Sequence, residues 1–220
     1  MNGRRLLRRV VVPAAVLGLA FAPSATATTT TTATAAQTTA TAAAAQNDTL
    51  TPGPAHMRLD PLVGTWKATK TNWLLGEGGK PVVSTDMVVT VRWIKRTGGR
   101  FLSEETRGTL AGRPYFRLGV LGYSNIDKRY EWTTFDSVTP TTMTYRGMPE
   151  TAPTSTISIP GEFTDPGVLG PEYVGRTIPM RTVISIRSDD RHTIDLYFTP
   201  PGQPERLVDR VVYERRSTRP

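Results

Sequence analysis

Hydrophobic and polar positions fall into two regimes that meet near residue 59. Upstream, a basic stretch with Arg4, Arg5, Arg8 and Arg9 leads into an apolar run from Val10 to Ala22, and beyond Ala25-Thr26-Ala27 no apolar periodicity is found before residue 59. Downstream, short runs rich in β-branched and aromatic residues alternate with clusters of Gly, Pro, Asn and Asp, which is the texture of an all-β chain. Strands are predicted near residues 66–73, 84–93, 101–107, 115–123, 129–135, 142–146, 156–163, 181–187, 192–199 and 207–215. Gly76-Glu77-Gly78-Gly79, Thr97-Gly98-Gly99, Asn125-Ile126-Asp127-Lys128 and Ser188-Asp189-Asp190 supply the turns between them. About ten short strands joined by hairpins predict an up-and-down barrel or a sandwich.

Alternation assigns faces within several strands. His192, Ile194, Leu196 and Phe198 share one face of their strand, and Thr193, Asp195 and Tyr197 share the other. His192 therefore points with the apolar residues, either at the rim of a cavity or as a hydrogen-bonded residue at a strand start. The last strand alternates poorly, with Leu207, Val211 and Tyr213 set against Val208, Arg210, Val212 and Glu214. Glu104 and Glu105 are neighbours in a strand and point to opposite faces, so they cannot form a paired-carboxylate site.

The upstream regime reads as an export signal over residues 1–27, because basic, apolar and small-x-small segments follow one another in that order. Its apolar run is too short to anchor permanently in a bilayer. The general secretory route is favoured over the twin-arginine route, since neither Arg4-Arg5 nor Arg8-Arg9 is followed by the full pattern. Residues 28–58, rich in Thr and Ala, read as a disordered linker that contains His56; residues 59–216 form the folded domain, and 217–220 a tail. The mature chain is expected outside the cytoplasm.

Charge and composition then remove functions. The formal charge of +8 suggests a nucleic-acid partner only until the four leader arginines are set aside, which halves it. The remaining Lys and Arg residues scatter, and no nucleic-acid partner is expected. The absence of cysteine excludes a disulfide scaffold, a thiolate zinc site and a cysteine nucleophile, and two histidines leave little for an imidazole-rich metal site. Asp136, Ser137 and His192 supply the residue types of a nucleophilic triad. Nothing resembles Gly-x-Ser-x-Gly, however, and Asp136 serves a turn more naturally by accepting backbone amides.

Leu62-Val63-Gly64-Thr65-Trp66 resembles the Gly-x-Trp entry of calycins, the lipocalin and fatty-acid-binding barrels. Gly98-Gly99-Arg100-Phe101-Leu102, Gly112-Arg113-Pro114 with Gly122-Tyr123-Ser124-Asn125, and Asp136-Ser137 leading to Gly147 are similar to a narrower bacterial family, the one catalogued as domain of unknown function 1579. The resemblance spans Leu59 to Arg216 and implies a single up-and-down antiparallel β-barrel of lipocalin type, with no established reaction or ligand. It also implies a closure set of Gly64 and Trp66 with a basic residue of the last strand, Arg215 or Arg216, over the indole. The Gly- and Pro-rich stretch between Asp165 and Met180 departs from the expected short turn and could form a lid over one end.

Such a barrel is expected to bind a small apolar or amphipathic molecule, with Trp93, Tyr123, Trp132, Tyr145, His192 and Phe198 as candidate cavity residues. No cofactor or metal is expected under that reading. The alternatives are a haem-binding barrel with His192 as axial ligand, a structural barrel filled by large side chains such as Trp93, Phe101, Phe116, Trp132 and Phe198, and, with least support, an enzyme in the barrel mouth. Exported protein is expected to begin at or close to Thr28; N-terminal sequencing that finds Met1 intact on it contradicts the export reading.

Overall fold

The computed structural model describes residues 49–149 and 156–216. All ten predicted strands are present: β1 (Gly64–Asn72), β2 (Val82–Trp93), β3 (Phe101–Leu110), β4 (Arg113–Ser124), β5 (Arg129–Asp136), β6 (Met143–Arg146), β7 (Thr156–Thr164), β8 (Thr177–Ser188), β9 (Arg191–Phe198) and β10 (Arg206–Arg215). Each pairs antiparallel with its neighbours in sequence, and β1 pairs with β10, which closes the sheet into an up-and-down barrel. Among the described residues no helix is long and apolar enough to cross a membrane. The residues read as an export signal, those read as a linker as far as residue 48, and the tail lie outside the described residues.

Three irregularities bend the ladder, and one explains the poor alternation of the last strand. β10 carries an extra residue where its pairing steps from Leu207 opposite Tyr197 to Asp209 opposite Leu196. Such a bulge places two successive residues on one side of the sheet. Val208 and Asp209 are accordingly both buried, while Leu207 turns outward, and inward alternation resumes at Val211 and Tyr213.

The linker expectation fails at its C-terminal end. Pro54–Met57 form one helical turn, α1, and Asp60–Leu62 a 3-10 turn that leads into β1. Pro54 suits the first helical position because its fixed φ is already helical and its missing N–H would have had no partner there. His56, expected in the disordered linker, is instead fully buried, with Nδ1 accepting the Gly53 amide at 3.1 Å and its ring edge-on to Tyr123 at 5.7 Å. The Tyr130 hydroxyl donates to the Ala55 carbonyl at 2.8 Å and ties the turn to the barrel. A composition of Thr, Pro and Gly hides such a turn, because its stability comes from packing on the barrel and not from its own propensity.

This end of the barrel is shut. Trp66 is fully buried and donates from Nε1 to the Leu62 carbonyl at 2.9 Å. The Arg215 guanidinium lies over its ring, 4.1 Å from the centroid, and donates to the carbonyls of Val63, Pro61 and Asp189. Arg215, and not the exposed Arg216, covers the indole. Gly64 makes this possible, since its φ is +147° and any Cβ there would collide with the guanidinium. Trp66→Ala is expected to cost about 3–5 kcal/mol in urea unfolding, and Arg215→Ala less, about 1–3 kcal/mol. A Trp66→Ala midpoint equal to that of the unaltered chain contradicts this account of the floor.

Candidate functional site

With one end plugged, the interior space lies toward the other. β1, β3, β5, β7 and β9 all run from the closed end to the open end, so the late residues of these strands and the early residues of their partners surround the mouth. A cavity of about 90 Å³ lies there, with Leu110, Phe163, Phe198 and Val208 among its apolar walls. Val168, in the loop of residues 165–176 between β7 and β8, reaches over it. That loop is organised by Asp165, 1% exposed, whose carboxylate accepts the amides of Gly167, Val168 and Leu169. The Gly- and Pro-rich stretch singled out in the sequence thus sits at the mouth as an ordered cover.

The base of the cavity is charged. Along β1, Trp66, Ala68, Lys70 and Asn72 all face inward, so alternation itself carries a lysine into the interior. Lys70 Nζ is ion-paired with Asp209 Oδ2, which also accepts from Asn72 Nδ2 at 3.2 Å. Asp209 faces inward in phase with Val211 and Tyr213 of β10. A second pair lies beside the first, where Arg117 Nη1 donates to Glu104 Oε1 at 3.3 Å and the guanidinium packs 4.7 Å from the centroid of the Trp132 ring. Gly119 provides room for that indole, since a Cβ there would lie 2.6 Å from Trp132 Nε1. Burial works against the Arg117 charge and the paired Glu104 carboxylate opposes that cost, so the guanidinium stays protonated. Tyr115 and Tyr145, also at the cavity, have their hydroxyl pKa raised by burial and remain neutral donors.

The six candidate cavity residues separate into three groups. Tyr145 and Phe198 line the cavity. Trp132 lies one layer deeper, tilted against Tyr145 at 5.5 Å. Trp93, Tyr123 and His192 belong to the closed end: Trp93 donates from Nε1 to Asp60 at 2.8 Å, and Tyr123 packs between His56 and Tyr130. His192 is 2% exposed, stacked on Tyr213 at 4.1 Å and edge-on to Trp66 at 4.4 Å. The gap it borders is about 10 Å³, the limit for one water, and the ring does not line the open cavity. His192 therefore packs in the floor, apart from the open cavity. Lys70, Glu104, Arg117 and Asp209 were missed because alternation was weighed by its apolar members; each lies in phase with buried residues of its strand.

Asp136 accepts the amides of Val138 and Thr139 at 2.9 and 2.6 Å, and so serves a turn at the mouth. No group of three His, Asp or Glu residues is placed to hold a metal ion among the described residues.

Residues 51–215 match the family described as "Protein of unknown function (DUF1579)". Among curated proteins none matches the chain in sequence. Among solved structures, Rv2717c from M. tuberculosis is similar at 18% identity and a TM-score of 0.48, over 74% of this chain and 98% of that one. The S-type phycobiliprotein lyase CPES from Guillardia theta is similar at 10% identity and a TM-score of 0.45, over 75% and 94%. At these values the two structures lend no ligand to this chain.

Burial first, and the neighbouring Arg215 charge second, lower the His192 pKa to about 3, so its ring is neutral in the folded state. The unfolded chain takes up that proton near pH 6.5, and the folded chain does not. Stability is therefore expected to fall as pH drops from about 6.5 towards about 3, at a slope approaching about 1.4 kcal/mol per pH unit from this group. His192→Gln should remove that component; urea midpoints that decline in parallel for variant and unaltered chain contradict it.

Proposed function

Since the chain belongs to the DUF1579 family, whose description assigns no activity, we propose from the site itself that the barrel carries a small amphipathic molecule, held polar end inward through the open mouth. The observation that carries this reading is the cavity of about 90 Å³ with apolar walls above a floor of buried charged side chains. A purely structural barrel gains nothing from two ion pairs in its interior, because well-packed apolar residues of similar volume would serve its stability at least as well. Pockets for drug-sized ligands span about 300–1,000 Å³, whereas 90 Å³ corresponds to about three waters at liquid density. The enclosed space thus suits a compact head group, with the apolar remainder lying at the mouth beneath residues 165–176. The proposal also places the mature barrel outside the cytoplasm, on the order of basic, apolar and small residues in positions 1–27.

The haem alternative draws no support from the position of His192 in the packed floor. The carrier reading is tested by titration with N-phenyl-1-naphthylamine, an uncharged fluorescent probe, which is expected to bind saturably at one site. Val168→Trp, a substitution on the loop over the cavity, should weaken that binding at least tenfold by occupying the mouth, whereas Trp93→Phe at the closed end should leave it unchanged. Absence of saturable binding, or equal binding by Val168→Trp, contradicts the proposal.

A further inference from the structure

The two ion pairs at the base of the cavity restrict the kind of head group it accepts. We infer that the occupant carries an uncharged head group that both donates and accepts hydrogen bonds, of the carboxamide type, and that the site selects against carboxylate and ammonium head groups. The inference rests on the carrier reading and specifies its ligand class.

The first ground is charge. Lys70 is matched by Asp209, and Arg117 by Glu104, so the buried layer sums to zero. An ionised head group entering it would be desolvated without a free counter-charge, which is strongly unfavourable in a barrel interior. A carboxylate held by the spare donors of Arg117 would share one guanidinium with Glu104, which is 7% exposed, and would leave the buried layer with an unmatched negative charge. An ammonium group held by Asp209 Oδ1 would likewise share that carboxylate with Lys70 and leave an unmatched positive charge. Asp136, partly exposed at the mouth, spends its carboxylate on the amides of Val138 and Thr139 and lies outside this buried layer.

The second ground is unused hydrogen-bonding capacity. Asp209 Oδ2 accepts from both Lys70 and Asn72, while Oδ1 is buried without a partner. A buried acceptor left in that state is costly. Arg117 has five N–H donors, and among the described residues its guanidinium makes one hydrogen bond, to Glu104. Lys70, Tyr115 and Arg117 border one gap of about 10 Å³, so both ion pairs lie within the span of a single small head group. A carboxamide supplies N–H donors towards Asp209 and a carbonyl acceptor towards Arg117, and it carries no charge that requires neutralising.

The test is calorimetric titration of the purified protein at pH 7 with three molecules that share one tail: octanamide, octanoate and octylammonium. Octanamide is expected to bind at least tenfold more tightly than either ion. Asp209→Asn leaves Lys70 without its carboxylate and makes the layer net positive, so it should shift the preference towards octanoate. Glu104→Gln makes the same change at Arg117 and serves if the first variant does not fold. Octanoate or octylammonium binding as tightly as octanamide to the unaltered protein overturns the inference and leaves the carrier reading standing. If none of the three binds and the naphthylamine probe also fails, the carrier reading falls, and the inference with it.

Discussion

Pairing of the first strand with the last is the constraint on which the rest of the structure depends. A ten-stranded sheet left open would expose β1 and β10 as edges; closed, it is wide enough to leave interior space that side chains need not fill. The closing ladder puts Trp66 opposite Arg215 at one end and Asn72 opposite Asp209 at the other. At the first of these pairs the indole, the guanidinium and three backbone carbonyls form a plug, and His192 and Tyr213 complete the aromatic packing around it. At the second, the same ladder brings a carboxylate and its partners to the base of a cavity. Closure therefore fixes the polarity of the barrel: sealed where the chain enters, open where β1 leaves.

The polar interior follows from the strand period. Lys70 faces inward because Trp66 and Ala68 do, and Asp209 because Val211 and Tyr213 do; the bulge beside Asp209 turns Val208 inward as well. Each ion taken singly would be a severe liability at such burial, and the pairing keeps the arrangement tolerable without making it a source of stability. Under the proposed carrier role, these pairs serve what the interior contacts and not the stability of the barrel. The surrounding tyrosines, kept neutral by burial, add donors without adding charge.

The fold was largely legible in the sequence, since runs of β-branched and aromatic residues separated by Gly, Asn and Asp mark strands by local chemistry alone. Trp66 and Gly64 were legible through a motif, and the choice between Arg215 and Arg216 was not, because it depends on the register of β10 against β1. His56 escaped notice since α1 is held by Tyr123 and Tyr130, residues far along the chain. The charged layer was within reach: Lys70, Glu104 and Arg117 each stand two residues from buried neighbours on their strands. Asp209 likewise stands in phase with Val211 and Tyr213, and the residue that the bulge puts out of phase is Val208. His192 misled because sharing a face with Ile194 and Phe198 places a residue inside the barrel without saying at which end.

The division of the interior into a sealed floor and an open, polar-based cavity is tested most directly by methyl NMR on protein labelled at Leu, Val and Ile and titrated with octanamide. The account predicts saturating shifts at Leu74, Leu110, Leu196 and Val208 around the cavity, and none at Leu62, Val91, Leu102 and Ile184 beside the floor. Shifts concentrated on the floor methyls, or no saturating shift at any of the eight, would contradict it.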